Sequence, residues 1–253
     1  MELTASDRDV NGRSSRAPRS LYAEAEKPAE IDWGALELHD VFKIYGSGSV
    51  ETVALRGLDL RIEQGEMVAI VGPSGSGKST LLSLAAALDT PSAGDVRALG
   101  RSLAGLGDNE LAEYRARRVA IVFQSDNLWP ALSARENVAT ALRIAGQRNA
   151  ERDASEALAT FGLAKREHLR PSALSGGEQQ RVAIAAAAAR RASLVLADEP
   201  TGELDEKNEA TVLRSLRELR DRNGSAVVVV THADPVAGAC DRVVEIRDGR
   251  VEG

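Results

Sequence analysis

Apolar positions along the chain fall into four short unbroken runs set between longer stretches with helical spacing. The runs occupy 67–71, 119–123, 194–197 and 226–230. Unbroken apolar runs of four or five residues suit strands buried on both faces, as in a parallel sheet covered by helices. Helical patterns follow at 78 to about 88, stopped by Asp89-Thr90-Pro91, and at 208–222. The stretch from about 126 to 190 is mostly helical in pattern, interrupted at Gly162, Pro171 and Gly176-Gly177, and lies between the second and third runs. Before the first run, 36–38, 41–45 and 52–62 are strand-like around a turn at 46–49. Near the end, 243–246 leads into Asp248-Gly249, a hairpin signal. Strands separated by helices predict an α/β fold with a parallel sheet and an inserted helical subdomain. Residues 1–34 are rich in Ser, Arg, Asp, Glu, Ala and Pro without sustained period, and a disordered tail is expected there, with a folded domain over 35–253.

Composition narrows the class. A formal charge of -6 argues against broad, sequence-independent binding to nucleic acid, which needs clustered Lys and Arg. The single cysteine, Cys240, cannot form an internal disulfide and reads as a small, partly buried residue. No apolar segment near Met1 has the form of a secretory signal, and the longest apolar run, 182–189, is far short of the ~20 residues a membrane helix needs. The expectation is a cytoplasmic chain; any crossing of a membrane falls to another polypeptide.

Three of the four runs end in residues with chemical capability, and parallel sheets bind ligands beyond the carboxyl ends of their strands. The first runs into Gly72-Pro73-Ser74-Gly75-Ser76-Gly77-Lys78-Ser79, which fits G-x-x-x-x-G-K-[ST] between a strand and a helix. Glycines let backbone N–H groups wrap phosphate oxygens, Lys78 adds a full charge, and the Ser79 hydroxyl suits Mg²⁺. The third ends in Asp198-Glu199: Asp198 suits the metal, and Glu199 suits the polarising of an attacking water. The fourth ends in Thr231-His232. A second glycine turn, Leu174-Ser175-Gly176-Gly177-Glu178-Gln179-Gln180-Arg181, opens another helix. It is either a second anion site, serving another subunit's nucleotide, or an ordinary helix start capped by Ser175.

Together these stretches resemble the ATP-binding cassette (ABC) family over residues 36 to 250: a Walker A loop, a Walker B strand and the ABC signature. The resemblance implies a P-loop NTPase, RecA-like core with an N-terminal antiparallel β subdomain. It implies ATP and Mg²⁺ as ligands, with Thr80 closing the phosphate loop. It implies head-to-tail dimers in which Ser175, Gly176 and Gly177 reach ATP held by the opposite subunit. Gln124 resembles the Q-loop glutamine, which senses Mg²⁺ and γ-phosphate; Asp205 the D-loop aspartate at the dimer seam; His232 the switch histidine that aligns Glu199. Tyr45 resembles the aromatic that stacks on adenine, or is a plain strand aromatic.

A finer resemblance, carried by 72–82, Ala87-Leu88-Asp89-Thr90-Pro91-Ser92-Ala93-Gly94 and 122–128, is to the lipoprotein-release and macrolide-export (LolD and MacB type) ATPases, with FtsE-type cassettes close by. That group implies an FtsX-like membrane permease as partner, and a homodimer of cassettes, since one chain carries both halves of a site. Ala186, Glu203 and Ala233 depart from the group's usual residues at positions outside the core chemistry. Trp129, after the Q-loop, is either a permease-facing anchor or a core residue of the helical subdomain. Arg115, Arg117 and Arg118 read as a solvated helix face, and His39 and His168 as incidental. A soluble cassette acting on nucleic acid or ribosomes is disfavoured: such chains carry a long coiled-coil insertion or tandem cassettes. Here only 50 positions separate Gln124 from Leu174, and there is a single Walker A motif.

Overall fold

The computed structural model describes residues 33–47 and 50–252. Two strands, β1 (Leu36–Ser47) and β2 (Val50–Ile62), form an antiparallel pair, and β1 also pairs with β4 (Ala93–Ala98), which continues to β5 (Arg101–Ser102). The second sheet is built on the four apolar runs, β3 (Met67–Val71), β6 (Val119–Val122), β7 (Leu194–Asp198) and β8 (Ala226–Val230). With β9 (Arg242–Arg247) they lie parallel, and β10 (Arg250–Glu252) closes the expected hairpin, in the order β10-β9-β3-β8-β7-β6. An α/β core with an antiparallel β layer and an inserted helical layer is thus the architecture of the chain.

The unbroken runs are explained by what covers them. Leu194, Leu196, Ala226, Val228 and Val230 face one core, shared with β1 and β2 and with α1 (Lys78–Ala85). Their alternates Val195, Ala197, Val227 and Val229 face the other. That second core is closed by α3 (Ala134–Ile144), α4 (Ala150–Thr160), α5 (Gly176–Ala189) and α6 (Glu206–Asn223). Strand side chains alternate between faces, so a strand covered on both sides must be apolar throughout. Each valine or leucine among them contributes about 1.5–3 kcal/mol by its burial.

Three local features differ from the sequence expectation. The helix opening at Lys78 stops at Ala85, short of 88. Ala87 takes φ 53° and Leu88 N–H returns to the Ser83 carbonyl, a Schellman turn without its usual glycine. Helix α2 (Asp108–Arg117) gave little periodic signal, because Leu111 and Tyr114 are its only large apolar residues. Its Tyr114 hydroxyl donates to the Ala85 carbonyl at 2.6 Å, tying α2 to the end of α1. Arg115 is not wholly solvated: it donates to the Ala87 carbonyl at 2.9 Å.

The expected tail, 1–34, lies outside the described residues except for Trp33 and Gly34. The Arg97 guanidinium sits 4.6 Å over the Trp33 ring, and Gly34 N–H donates to Glu37 Oε1 at 3.0 Å. Cys240 is half-buried beside α7 (Asp234–Ala237), and burial pushes its thiol up to about 11, so it stays protonated at neutral pH. Among the described residues no helix is long and apolar enough to cross a membrane.

Candidate functional site

The loop between β3 and α1 is clamped from two sides, and glycine is what permits it. At Gly72 (φ 146°) a Cβ would stand 2.0 Å from the Ile246 carbonyl of β9. At Gly77 (φ 106°) it would stand 2.6 Å from the Ala54 carbonyl of β2. The backbone of 72–77 is therefore held against both sheets, with Pro73, Ser74 and Gly75 exposed at its crest. Lys78 Nζ donates to the carbonyls of Gly72 and Pro73, 2.8 Å each, which folds the ammonium back over the loop. Helix α1 has no side-chain cap and no acidic residue in its first turn. Its N-terminal N–H groups and partial positive charge are thus open to an anion. Ser76 Oγ is 3% exposed and has no hydrogen-bond partner. A cradle of donors, a lysine and no carboxylate of its own fits a polyphosphate.

Acidic chemistry stands on the neighbouring strands. Asp198 ends β7, and its carboxyl is pushed above the usual range by burial and then by the charge of Glu199, partly opposed by the Ser79 hydroxyl and Lys78. Ser79, Asp198 and Gln124 offer oxygen donors of the kind a hard cation takes. Among the described residues no three His, Cys, Asp or Glu side chains cluster to hold a metal.

A raised carboxyl favours the fold at acid pH, where it is protonated, and its contribution is lost as pH rises through the folded value. At pH 7 the Asp198 charge is therefore a burden on the ligand-free fold. Asp198→Asn should raise the ligand-free melting temperature at pH 7. Thermal melts at pH 7 and pH 4 check this, because the gain of the Asn variant must shrink at the lower pH.

Glu199 follows Asp198 with φ 46°, an uncommon backbone for a side chain of this size, and its N–H donates to the Val230 carbonyl of β8 at 3.0 Å. The bend brings it to His232, at the end of the adjacent strand: Nδ1 lies 2.8 Å from Glu199 Oε1. The pair can share one hydrogen bond, in which Nδ1–H donates when the carboxyl is ionised. His232 is exposed and Glu199 mostly covered, so the ring meets the carboxylate from the solvent side.

Gln124, just beyond β6, is joined to this end of the sheet in a way its spacing did not announce. Its side-chain Nε2 lies 3.4 Å from Glu203 Oε1, so the Glu203 departure, expected to lie outside the chemistry, touches Gln124. Gln180 Nε2 donates to the carbonyls of Phe123 (2.9 Å) and Gln124 (2.6 Å), and Asn127 Nδ2 donates to Phe123 O and Gln180 Oε1. Gln180 is 5% exposed and shares the buried face of α5 with Gly177, Ile184 and Ala187. A glutamine inside an apolar stripe is a signal that sequence reading could have used.

Ser175 caps α5: Glu178 N–H donates to its hydroxyl at 3.3 Å, and Glu178 Oε2 accepts from Ser175 N–H at 2.9 Å. Arg166 at 2.9 Å, with the Ser175 N–H, holds the Glu178 carboxyl below its usual range. Gly177 packs against α6, where a Cβ would meet Asn208 Oδ1 at 2.9 Å. Asp205 caps α6, accepting from Asn208 N–H at 2.8 Å. Among the described residues no hydrogen bond or ion pair joins Ser175, Gly176 or Gly177 to residues 72–80. The chain therefore presents two separate glycine turns at helix starts. Tyr45, at the end of β1, is 43% exposed. Trp129 is 66% exposed, which overturns its reading as a core residue. His39 pairs with Glu37 and His168 with Glu167, away from the strand ends.

Residues 55–202 match the family model described as ABC transporter. An uncharacterized ABC transporter ATP-binding protein of Thermotoga maritima is 47% identical over 220 residues, covering 86% of this chain and 94% of that protein. The macrolide export ATP-binding/permease protein MacB of an Azoarcus species is 45% identical over 237 residues, covering 91% of this chain; the chain spans 36% of that protein's length. Among solved structures, the ATP-binding cassette MJ0796, a dimer in a post-hydrolysis state bound to ADP and Pi, superposes with a TM-score of 0.79 at 39% identity. The match covers 86% of this chain and 97% of that one.

Proposed function

Because the chain belongs to the ABC transporter family, we propose that two copies bind ATP between them, hydrolyse it, and so drive an FtsX-like membrane permease. The observation that carries the hydrolytic half is the 2.8 Å contact of His232 with Glu199 at adjacent strand ends, beside a phosphate loop. In this reading the triphosphate lies on the N–H groups of 72–79, and Lys78 exchanges its two carbonyl partners for β- and γ-phosphate oxygens. Tyr45 stacks on the adenine. Ser79, Asp198 and Gln124 would hold Mg²⁺, which would supply charge neutralisation to the phosphates. Glu199, oriented by His232, accepts a proton from the attacking water as its oxygen bonds the γ-phosphorus and the bond to ADP breaks. Catalysis is positioning and charge neutralisation, not covalent chemistry on the protein.

The Ser175-Gly176-Gly177 turn completes the site of the opposite copy, with Asp205 at the seam. Two features support this: the turn has no bond to its own phosphate loop, and the MJ0796 cassette was solved as a dimer with ADP and Pi. A two-fold pair of identical chains then completes two sites at once, because each chain carries both surfaces.

The name of the MacB relative, an ATP-binding/permease protein, supports a permease partner, and that partner supports a place at the inner face of the membrane. Its docking surface is assigned to Trp129 and Phe123, exposed large apolar residues that flank the Gln124 loop. Interface aromatics of this kind carry binding energy out of proportion to their number. Trp129→Ala is expected to remove stimulation of ATP turnover by the permease while leaving turnover of the isolated cassette within about twofold, since so exposed a ring contributes little to the fold. Turnover in detergent, with and without permease, measures both; stimulation that survives the substitution contradicts the docking assignment.

A further inference from the structure

The segment Ala87-Leu88-Asp89-Thr90-Pro91 has no part in the mechanism above, yet it holds the most connected polar group near Tyr45. Tyr45 Oη donates to Asp89 Oδ2 at 3.0 Å. Asp89 Oδ1 accepts from Lys43 Nζ at 2.6 Å, and Lys43 Nζ also donates to the Thr90 carbonyl at 2.8 Å. The same ammonium lies 4.8 Å from the centroid of the Tyr45 ring. Lys43 is largely buried, so its position is set by packing as well as by charge. The loop is further fastened to β1, since Ser92 N–H donates to the Phe42 carbonyl at 2.8 Å and Ile44 N–H to Ser92 Oγ at 3.0 Å. Partial burial works against the Asp89 charge. Hydrogen bonds from Lys43, the Thr90 N–H and Tyr45 outweigh it and hold the carboxyl below its usual range, so it is a charged acceptor at neutral pH.

An exposed tyrosine at a strand end is free to turn about its side-chain torsions, and a ring must present a fixed face to stack on a base. A hydrogen bond at the phenolic end and a cation against one side remove that freedom before a ligand arrives, which lowers the cost of ordering on binding. We propose that Asp89, fastened by Lys43, is the positioning residue that sets the Tyr45 ring for the adenine of ATP. The inference rests on the reading of Tyr45 as the adenine-stacking residue and deepens it. Asp89 touches no substrate; it acts through Tyr45, and its effect belongs to base recognition and not to the phosphates or the hydrolytic step.

The experiment uses four variants of the full chain: Tyr45→Ala, Tyr45→Phe, Asp89→Ala and the Tyr45→Phe/Asp89→Ala double. Steady-state KM and kcat for ATP are measured, together with competitive inhibition by inorganic tripolyphosphate, which carries the phosphates without the base. Tyr45→Ala is expected to raise KM at least about tenfold through lost stacking. Tyr45→Phe keeps the ring and loses only the hydroxyl. It and Asp89→Ala should each raise KM about five- to tenfold, with kcat within about twofold and tripolyphosphate inhibition unchanged. The double variant should be no worse than Asp89→Ala alone, because the Tyr45 hydroxyl contact that Tyr45→Phe removes is already lost with Asp89. If Tyr45→Ala raises KM while Tyr45→Phe and Asp89→Ala do not, the positioning role is overturned and stacking survives. If Tyr45→Ala leaves KM unchanged, both are overturned. Weakened tripolyphosphate inhibition in Asp89→Ala would give Asp89 a role in the fold and overturn the proposal.

Discussion

Glu199→Gln is expected to lower ATP turnover about a thousandfold while leaving ATP affinity within a few-fold of the parent. The amide has the shape of the carboxylate and can keep a hydrogen bond to His232, now 2.8 Å from Glu199 Oε1. It cannot take a proton. Loss of a positioned general base costs about 10²–10⁴ in rate, so a thousandfold is the middle of the range. Affinity is spared because the phosphate-binding groups, the N–H groups of 72–79 and Lys78, lie on a different loop. Removing the charge also relieves Asp198, whose carboxyl Glu199 helps to push up, so a bound cation is held no less well. Phosphate release under single-turnover conditions, beside equilibrium nucleotide binding, separates the two effects. Unchanged release removes Glu199 from the chemistry and leaves His232 without its task.

Lys78→Ala should act on the opposite half of the balance. Nζ sits over the loop with the Gly72 and Pro73 carbonyls at 2.8 Å each, ready to exchange them for phosphate oxygens. A charged hydrogen bond to phosphate is worth about 1.5–3 kcal/mol, so its loss weakens ATP binding by ~10–100-fold. Turnover at cellular ATP falls to background, because the same charge supports the transition state. The fold should persist, since α1 is anchored through buried Leu81, Leu82 and Leu84 and not through this side chain. Titration of nucleotide by calorimetry, with a thermal melt of the ligand-free variant alongside, checks both statements. Binding at parental strength would mean that the loop alone holds the phosphates.

The two substitutions probe features that differ in how openly the chain displays them. The phosphate loop is contiguous, and its glycines report a backbone whose tight packing against Ala54 and Ile246 only glycine allows. The strand runs are equally open, because a strand covered on both faces has no polar position to blur it. Asp198-Glu199 and His232 became legible once strand ends were taken as one side of a sheet. What remained hidden has identifiable causes. Helix α2 carries too few apolar residues for its period to show, and the end of α1 is hidden because Ala87 takes a backbone usually left to glycine. The side of Trp129 could not be read, since the short apolar stretch Leu128-Trp129-Pro130-Ala131-Leu132 has no period that assigns a face. The Glu203 contact to Gln124 and the Lys43–Asp89–Tyr45 network join residues 79 and about 45 positions apart. No local pattern encodes such pairings.

Catalysis by this chain alone and catalysis by a pair make different demands on the Ser175 turn. In the structure that turn is satisfied locally, as a capped start to α5, and touches no phosphate loop of its own. Its second role exists only if another copy arrives with ATP. The direct test is the mass in solution of the Glu199→Gln chain by light scattering, with and without Mg²⁺-ATP, since slow hydrolysis preserves the ATP state for the measurement. The account predicts one chain without nucleotide and two with it, the pair reverting when Ser175 is replaced by Arg. A single-chain mass with saturating ATP bound, or a pair that forms equally without nucleotide and ignores the Ser175 substitution, would contradict it.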